Sequence, residues 1–108
     1  RVYGKTHSTL ATYYDHLGLI LHGCREYEQA FDSFKRAYEV DAANLGPDHP
    51  DTGRDLYNMS VAMRSNGNAV GADELKEQAV AIFRKNTTGD HPYLQAAEDG
   101  ILIVTWKE

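Results

Sequence analysis

The tripeptide Asp48-His49-Pro50 occurs again as Asp90-His91-Pro92, and this recurrence decides the fold. His7 precedes His49 by the same 42 residues that separate His49 from His91. The same offset carries a set of apolar positions onto one another: Leu17 onto Met59, Met59 onto Ile101, Ala30 onto Ala72, and Ala37 onto Ala79. Matches in several independent columns at one offset indicate an internal repeat. The chain is therefore predicted to consist of copies of one structural unit.

Each full repeat has the pattern of two amphipathic helices. Pro50 suits the first turn of a helix, where its missing N–H costs no hydrogen bond, and Asp48 or His49 can cap that helix. Apolar or small residues recur at spacings of three and four in each of the four predicted helices. In chain order they are Tyr14, Leu17, Gly18 and Leu21; Tyr27, Ala30, Phe34, Ala37 and Tyr38; Leu56, Met59 and Met63; and Ala72, Leu75, Ala79 and Ile82.

The end of the chain predicts a fifth helix, from about Pro92 to Lys107. Its apolar stripe consists of Leu94, Ala97, Ile101 and Val104. One neighbouring helix cannot cover that much apolar surface, and a large bare patch usually marks an interface. We therefore expect either a homodimer through this terminal helix or a further helix that follows it.

These patterns predict an all-α fold in one domain that spans the chain. We place repeat one at 4–46, repeat two at 47–88 and a half repeat at 89–108. Strands are disfavoured because no stretch alternates apolar and polar residues for long.

Composition excludes several function classes. The formal net charge of -5 disfavours a nucleic-acid partner, which needs a basic footprint. The longest apolar run near the end, 101–104, is far too short to cross a bilayer, so we expect no membrane association. Cys24 is the only cysteine, which excludes an internal disulfide and fits a reducing, cytoplasmic location.

Several of these residues together resemble a known family. In order, Tyr14, Leu17, Gly18, Leu21, Tyr27, Ala30, Phe34 and Ala37 resemble the signature of the tetratricopeptide repeat (TPR). The long period and the linker at 45–52 resemble the kinesin-light-chain type of this repeat. The resemblance implies a right-handed α-solenoid of antiparallel helix pairs, about two and a half repeats long. It also implies a protein–protein interaction scaffold with no catalytic activity and no cofactor.

The resemblance further implies which residues line the concave groove of the solenoid. They are Thr12, Asp15, His16, Leu19 and His22 in repeat one, Arg54, Tyr57, Asn58, Val61 and Arg64 in repeat two, and Ile103 and Trp106 in the half repeat. The column Leu19, Val61 and Ile103 would form an apolar floor across the groove.

A ligand in this groove would be a protein or peptide. Asn58 would hold its backbone through the side-chain amide, and Arg54 and Arg64 would meet carboxylates. Trp106 and Tyr57 offer large rigid contact areas, and Arg, Tyr and Trp usually carry much of the binding energy at interfaces. We therefore expect an acidic or aromatic extended peptide, or a partner helix.

Two alternatives remain open at this point. Asp15, His22 and Tyr57 could form an acid/base site on the concave face, and the chain would then be an enzyme or a small-molecule-binding domain. An enclosed pocket would favour that alternative, whereas an open groove would favour the scaffold. The apolar ends could instead make the chain a self-assembly module.

The histidines do not predict a metal site. His7, His49 and His91 recur once per linker, so successive repeats separate them by about 20 Å at the usual 8–10 Å helix spacing. His16 and His22 are six residues apart, which does not match the spacing of a helical zinc pair.

Overall fold

The computed structural model describes residues 3–86 and 92–103, with side chains for 9–85 and 92–103. In that part of the chain the structure consists of five α-helices and contains no strand. They are α1 (Tyr3–Gly23), α2 (Tyr27–Leu45), α3 (Pro50–Ser65), α4 (Ala69–Asn86) and α5 (Pro92–Asp99). Helices that are consecutive in the chain pack on one another, most extensively within the pairs α1–α2 and α3–α4. The predicted all-α solenoid of antiparallel helix pairs is confirmed.

The two helix pairs turn in the same way. Arg25, between α1 and α2, and Gly67, between α3 and α4, are 42 residues apart, and both have positive φ, 66° and 98°. The next residue donates its N–H back to the preceding helix in both turns, from Glu26 to Leu21 (2.9 Å) and from Asn68 to Met63 (3.0 Å). The backbone therefore repeats even where the side chain does not, and Arg25 takes a conformation that glycine adopts more easily.

Small residues bring the helices of each pair close together. A Cβ atom on Gly18 of α1 would lie 2.5 Å from the ring of Phe34 on α2, so the ring fills the space that a methyl group would need. Gly53 of α3 plays the same part against α4, because a Cβ there would lie 3.0 Å from Ile82 and from Phe83. Gly18 and Gly53 therefore allow the two helices of each pair to approach closely.

The linker before α3 is held by its own polar groups. His49 caps α3: its Nδ1 accepts a hydrogen bond from the N–H of Asp51 at 3.0 Å. The hydroxyl of Thr52 donates to the carbonyl of Gly46 at 2.9 Å. Of the two predicted caps, His49 is the one that caps, and Asp48 pairs instead with Lys85.

The predicted extent of the last helix is wrong, because α5 ends at Asp99 rather than near Lys107. Gly100 takes a positive φ of 74°, and its N–H donates to Ala97 while that of Ile101 donates to Ala96. This hydrogen-bond pattern is the usual glycine-terminated helix end. The apolar spacing favoured a longer helix, but a glycine that takes a positive φ ends a helix wherever it occurs. The predicted stripe residue Val104 lies outside the described residues.

No helix among the described residues is both long and apolar enough to span a lipid bilayer.

Candidate functional site

Side-chain hydrogen bonds connect α1, α3 and α5 to one another across the helix pairs. Arg54 bonds Asp15 and Tyr93, each 39 residues away, and Tyr57 bonds the carbonyl of Ala96 at the same separation. These separations are close to the repeat length, as expected for the first helices of successive repeats lying side by side. We call the accessible surface of α1 and α3 around Leu19, His22, Val61 and Arg64 the inner face.

A cluster of charged residues, most of them buried, joins α1, α2 and α3. The guanidinium of Arg54, 3% exposed, contacts the carboxylates of Asp15 (2.9 Å), Asp41 (3.2 Å), Asp51 (3.3 Å) and Asp55 (3.2 Å). Burial by itself would lower the pKa of Arg54. The carboxylates of Asp55 and Asp15 outweigh burial, so the pKa is raised and the guanidinium stays positive. We call these five residues the Arg54 cluster.

The Arg54 cluster holds more carboxylates than one guanidinium can balance. Burial raises the pKa of Asp55 well above its ordinary value, and the neighbouring Asp15 raises it further. Burial also raises the pKa of Asp15, although Arg54 opposes this. Asp15 Oδ1 and Asp55 Oδ2 are buried without a hydrogen-bond partner in the described structure. A proton held on Asp55 would turn that carboxyl into a hydrogen-bond donor within the cluster.

The same carboxylates could in principle ligate a cation. Asp15, Asp41 and Asp55 each offer an oxygen, and these atoms lie within 4.8 Å of one another. Arg54 Nη2 bonds all three side chains, so the guanidinium already supplies positive charge at this point. A metal ion would have to displace it.

Several residues that were expected to be exposed in the groove are buried. Asp15, Arg54, Tyr57, Asn58 and Ile103 all lie in the interior, so the expectation of exposure is wrong for them. The reason is that α3 is enclosed on several sides: it packs against α2 and α4, and α5 with the residues after it covers a further side. Asp15 and Ile103 are buried where they bond residues of α3.

The other predicted groove residues remain accessible to different degrees. Thr12, Leu19, His22 and Val61 are partly buried, and His16 and Arg64 are exposed. Trp106 lies outside the described residues.

Both arginines that were predicted to meet a ligand carboxylate already form ion pairs within the chain. Arg54 is enclosed in its cluster, so that prediction is wrong for Arg54. Arg64 forms an ion pair with Asp73 on the protein surface, which a ligand carboxylate would have to compete with. Electrostatic attraction of an acidic peptide is therefore weaker than the sequence indicated.

The three residues of the alternative acid/base site have separate partners. Asp15 bonds Arg54, His22 Nε2 lies 3.0 Å from the hydroxyl of Ser65, and Tyr57 donates to the carbonyl of Ala96 at 3.3 Å. Burial lowers the pKa of His22 and raises that of Tyr57 to about 12. None of these hydrogen bonds joins two members of the proposed site.

Asn58 makes the most specific contact of the site. Its side-chain Nδ2 donates to the carbonyl of Ile103 at 3.0 Å, and its Oδ1 accepts from the N–H of the same residue at 2.9 Å. In an antiparallel β-sheet, the neighbouring strand likewise bonds both the N–H and the C=O of one residue. The sequence predicted that Asn58 holds a peptide backbone. In this structure the backbone that it holds belongs to its own chain.

Sequence reasoning missed four residues of the polar interior. Asp41, Asp51 and Asp55 surround Arg54, and the hydroxyl of Tyr93 bonds both Arg54 and Asp51. Comparison of positions 42 residues apart could have indicated two of them, Asp41 and Asp55. The residues 42 positions after Asp41 and Asp55 are the apolar Phe83 and Ala97, so each acid interrupts an apolar column.

An open groove of about 380 Å³ lies between α1 and α2. Its lining residues are Leu10, Tyr14, Arg36, Glu39, Val40 and Ala43. None of them belongs to the predicted acid/base site, and the groove is open rather than enclosed.

A comparison with protein-family models gives a match to the one described as "Tetratricopeptide repeat", over residues 1–85. The match covers α1, α2, α3 and nearly all of α4.

Proposed function

This chain belongs to the tetratricopeptide repeat family, whose repeats generally mediate protein–protein interaction, and on that premise we propose that it is a scaffold that binds an extended partner segment along its inner face. The scaffold has no catalytic role in this proposal. The partner segment lies across α1 and α3 and contacts Leu19 and Val61.

The contact between Asn58 and Ile103 is the observation that carries this proposal. A helix side chain that bonds both the N–H and the C=O of one residue recognises extended backbone, whatever the side chain of that residue. A helical ligand would not offer both groups, because its own backbone bonds use them. The contact therefore favours an extended peptide over a partner helix.

The surroundings of Asn58 favour an apolar side chain on the partner. Leu19 and Val61 are partly buried and pack against the core, so they present apolar surface that is already held in place. The side chain of Ile103 fits among the core residues and is 5% exposed. We therefore propose an aliphatic residue at the point where the partner backbone meets Asn58, with acidic or aromatic residues as secondary features.

Four narrower statements belong to the same proposal. The linker at 45–52 supports the kinesin-light-chain type of repeat, and the boundaries 4–46, 47–88 and 89–108 follow from the repeat offset. We also propose a cytoplasmic location. The homodimer through the last helix stays a prediction; Leu94 and Ala97 of its apolar stripe are covered within the chain, and Ile101 is 56% exposed.

Selection from a phage-displayed library of random linear peptides tests the proposal. Affinities of the selected peptides are then measured against two double variants that make the same chemical changes on different helices. Val61→Ser with Arg64→Ala changes the inner face. Val70→Ser with Arg84→Ala is the matched control on α4, where both residues are exposed.

We expect the inner-face variant to lose on the order of tenfold in affinity, since truncation at an interface hot spot costs about 2 kcal/mol or more and 1.4 kcal/mol corresponds to tenfold. The α4 variant should bind like the wild type. Equal losses in both variants, or a loss only in the α4 variant, would refute the inner face as the binding surface.

A further inference from the structure

The residues after α5 turn back onto α3 instead of extending the helix. Gly100 ends α5 with a φ of 74°, and Ile103 then reaches Asn58. We call residues 100–103 the return segment. Its side chains differ in exposure: Ile101 is exposed, Leu102 is partly buried and Ile103 is buried in the core.

Two conformations of the return segment exclude each other, because both require the same hydrogen-bond donor. If α5 continued past Gly100, the N–H of Ile103 would bond the carbonyl of Asp99, four residues earlier. In the structure that N–H is bonded to Oδ1 of Asn58 at 2.9 Å. Helical extension of α5 therefore requires release of Asn58.

We propose that the return segment occupies, within the same chain, the site at Asn58 that a partner segment would use, so that a partner binds only when the return segment leaves. This inference rests on the proposed function and adds its regulation. The ligand is an extended peptide with an aliphatic residue at Asn58, because Ile103 itself has those properties in the occupied state.

Gly100 acts as the hinge of this device. Glycine adopts a positive φ without steric cost, whereas alanine at the same angle is strained and is also the better helix former. Gly100→Ala should therefore shift the return segment from the docked form toward the helical form. A Cβ at Gly100 meets nothing within 4 Å, so the substitution acts through the backbone and not through a clash.

The test uses a synthetic peptide with the chain's own sequence at 98–103, Glu-Asp-Gly-Ile-Leu-Ile, blocked at both ends and labelled for fluorescence polarisation. It is titrated into the full chain as wild type, Gly100→Ala and Gly67→Ala. Gly67 is the matched control, because it also has a positive φ and open space around it but lies in the turn between α3 and α4. Gly100→Ala combined with Asn58→Leu removes the proposed contact while it keeps the volume of the side chain.

We expect Gly100→Ala to bind the peptide on the order of tenfold more tightly than the wild type or Gly67→Ala, from the strain that a non-glycine residue meets at this angle. Adding Asn58→Leu should abolish the gain. In NMR spectra of Gly100→Ala, the Cα shifts of Ile101, Leu102 and Ile103 should become helical.

Equal affinity of the wild type and Gly100→Ala would overturn the inference, and so would absence of binding to every variant. Non-helical shifts in Gly100→Ala would overturn the hinge. Sedimentation of the same samples adds a further outcome: a dimer that exchanges return segments would mean that a second copy, and not a partner, fills the site. These results do not decide the proposed function, which the library peptides and the Val61/Arg64 variant test separately.

Discussion

Arg54 of α3 and Asp15 of α1 form a buried ion pair, with 2.9 Å between Nη2 and Oδ2, that joins the first helices of the two pairs. The separation of 39 residues shows that the contact exists only because the repeats stack. Its position in the interior gives it a structural role, although the sequence placed both residues in a binding groove.

Replacing Arg54 with methionine should strongly destabilise the fold. The substitution leaves the buried carboxylates of Asp15, Asp41 and Asp55 without a cation, and breaking a buried pair from one side costs about 3–5 kcal/mol. Urea denaturation at neutral pH measures the loss. Arg64→Met is the control, because it breaks only the exposed pair with Asp73 and should cost at most about 1 kcal/mol. Similar losses in the two variants would contradict the buried role of Arg54.

The contribution of Asp55 to the free energy of unfolding should fall as the pH rises. Its pKa is raised in the folded chain above the ordinary 3.8, so the folded state holds the proton more tightly than the unfolded state does. By linkage, this stabilisation is full at low pH and falls as the pH rises from about 4 through the folded-state pKa.

Asp55→Asn should remove this dependence, because the amide keeps the shape and donates a hydrogen bond where the acid used its proton. Urea midpoints across pH 4–8 should then fall less steeply with pH in the variant than in the wild type. Asp32→Asn, on the exposed surface of α2, controls for the loss of one negative charge. A wild-type midpoint that rises relative to Asp55→Asn with increasing pH would show that the sign is wrong.

Gly18→Ala should destabilise the first helix pair, although alanine is the better helix former. The added methyl would lie 2.5 Å from the ring of Phe34, and overpacking of this kind typically costs about 1–3 kcal/mol. Gly23→Ala on the same helix is the control. Nothing lies within 4 Å of its Cβ position, so the change should be neutral or stabilise by up to about 1 kcal/mol. Thermal unfolding should therefore occur at a lower temperature in Gly18→Ala and at an unchanged or higher temperature in Gly23→Ala, and a stabilised Gly18→Ala would refute the close approach.

The fold could be predicted from the sequence because the repeat is apparent there without knowledge of the contacts between distant residues. The 42-residue offset gave the helix pairs, and the sequence placed a small residue at Gly18 and offered His49 as one of two caps. The last helix was predicted too long, because apolar spacing through Ile101 counted for more than a single glycine at 100. Whether a glycine in a helical pattern takes a left-handed angle depends on contacts such as that between Asn58 and Ile103, which lie far apart in the sequence.

The site was less predictable, since a repeat pattern gives the position of a residue on its helix but not the side chains opposite it. Arg54 occupies a position expected to face the groove, yet Asp41 and Asp55 come from columns that are apolar in the other repeats. Together with Asp15 they enclose the guanidinium. Only the stacked structure shows that these acids converge.

Chemical-shift mapping tests most directly whether α1 and α3 bind an extended partner segment. A library-selected peptide is titrated into the ¹⁵N-labelled chain, and shift changes are assigned to residues. We predict the largest changes at Leu19, Val61 and the side-chain amide of Asn58. Changes confined to the outer surfaces of α2 and α4, with these three signals unmoved, would contradict binding at the inner face.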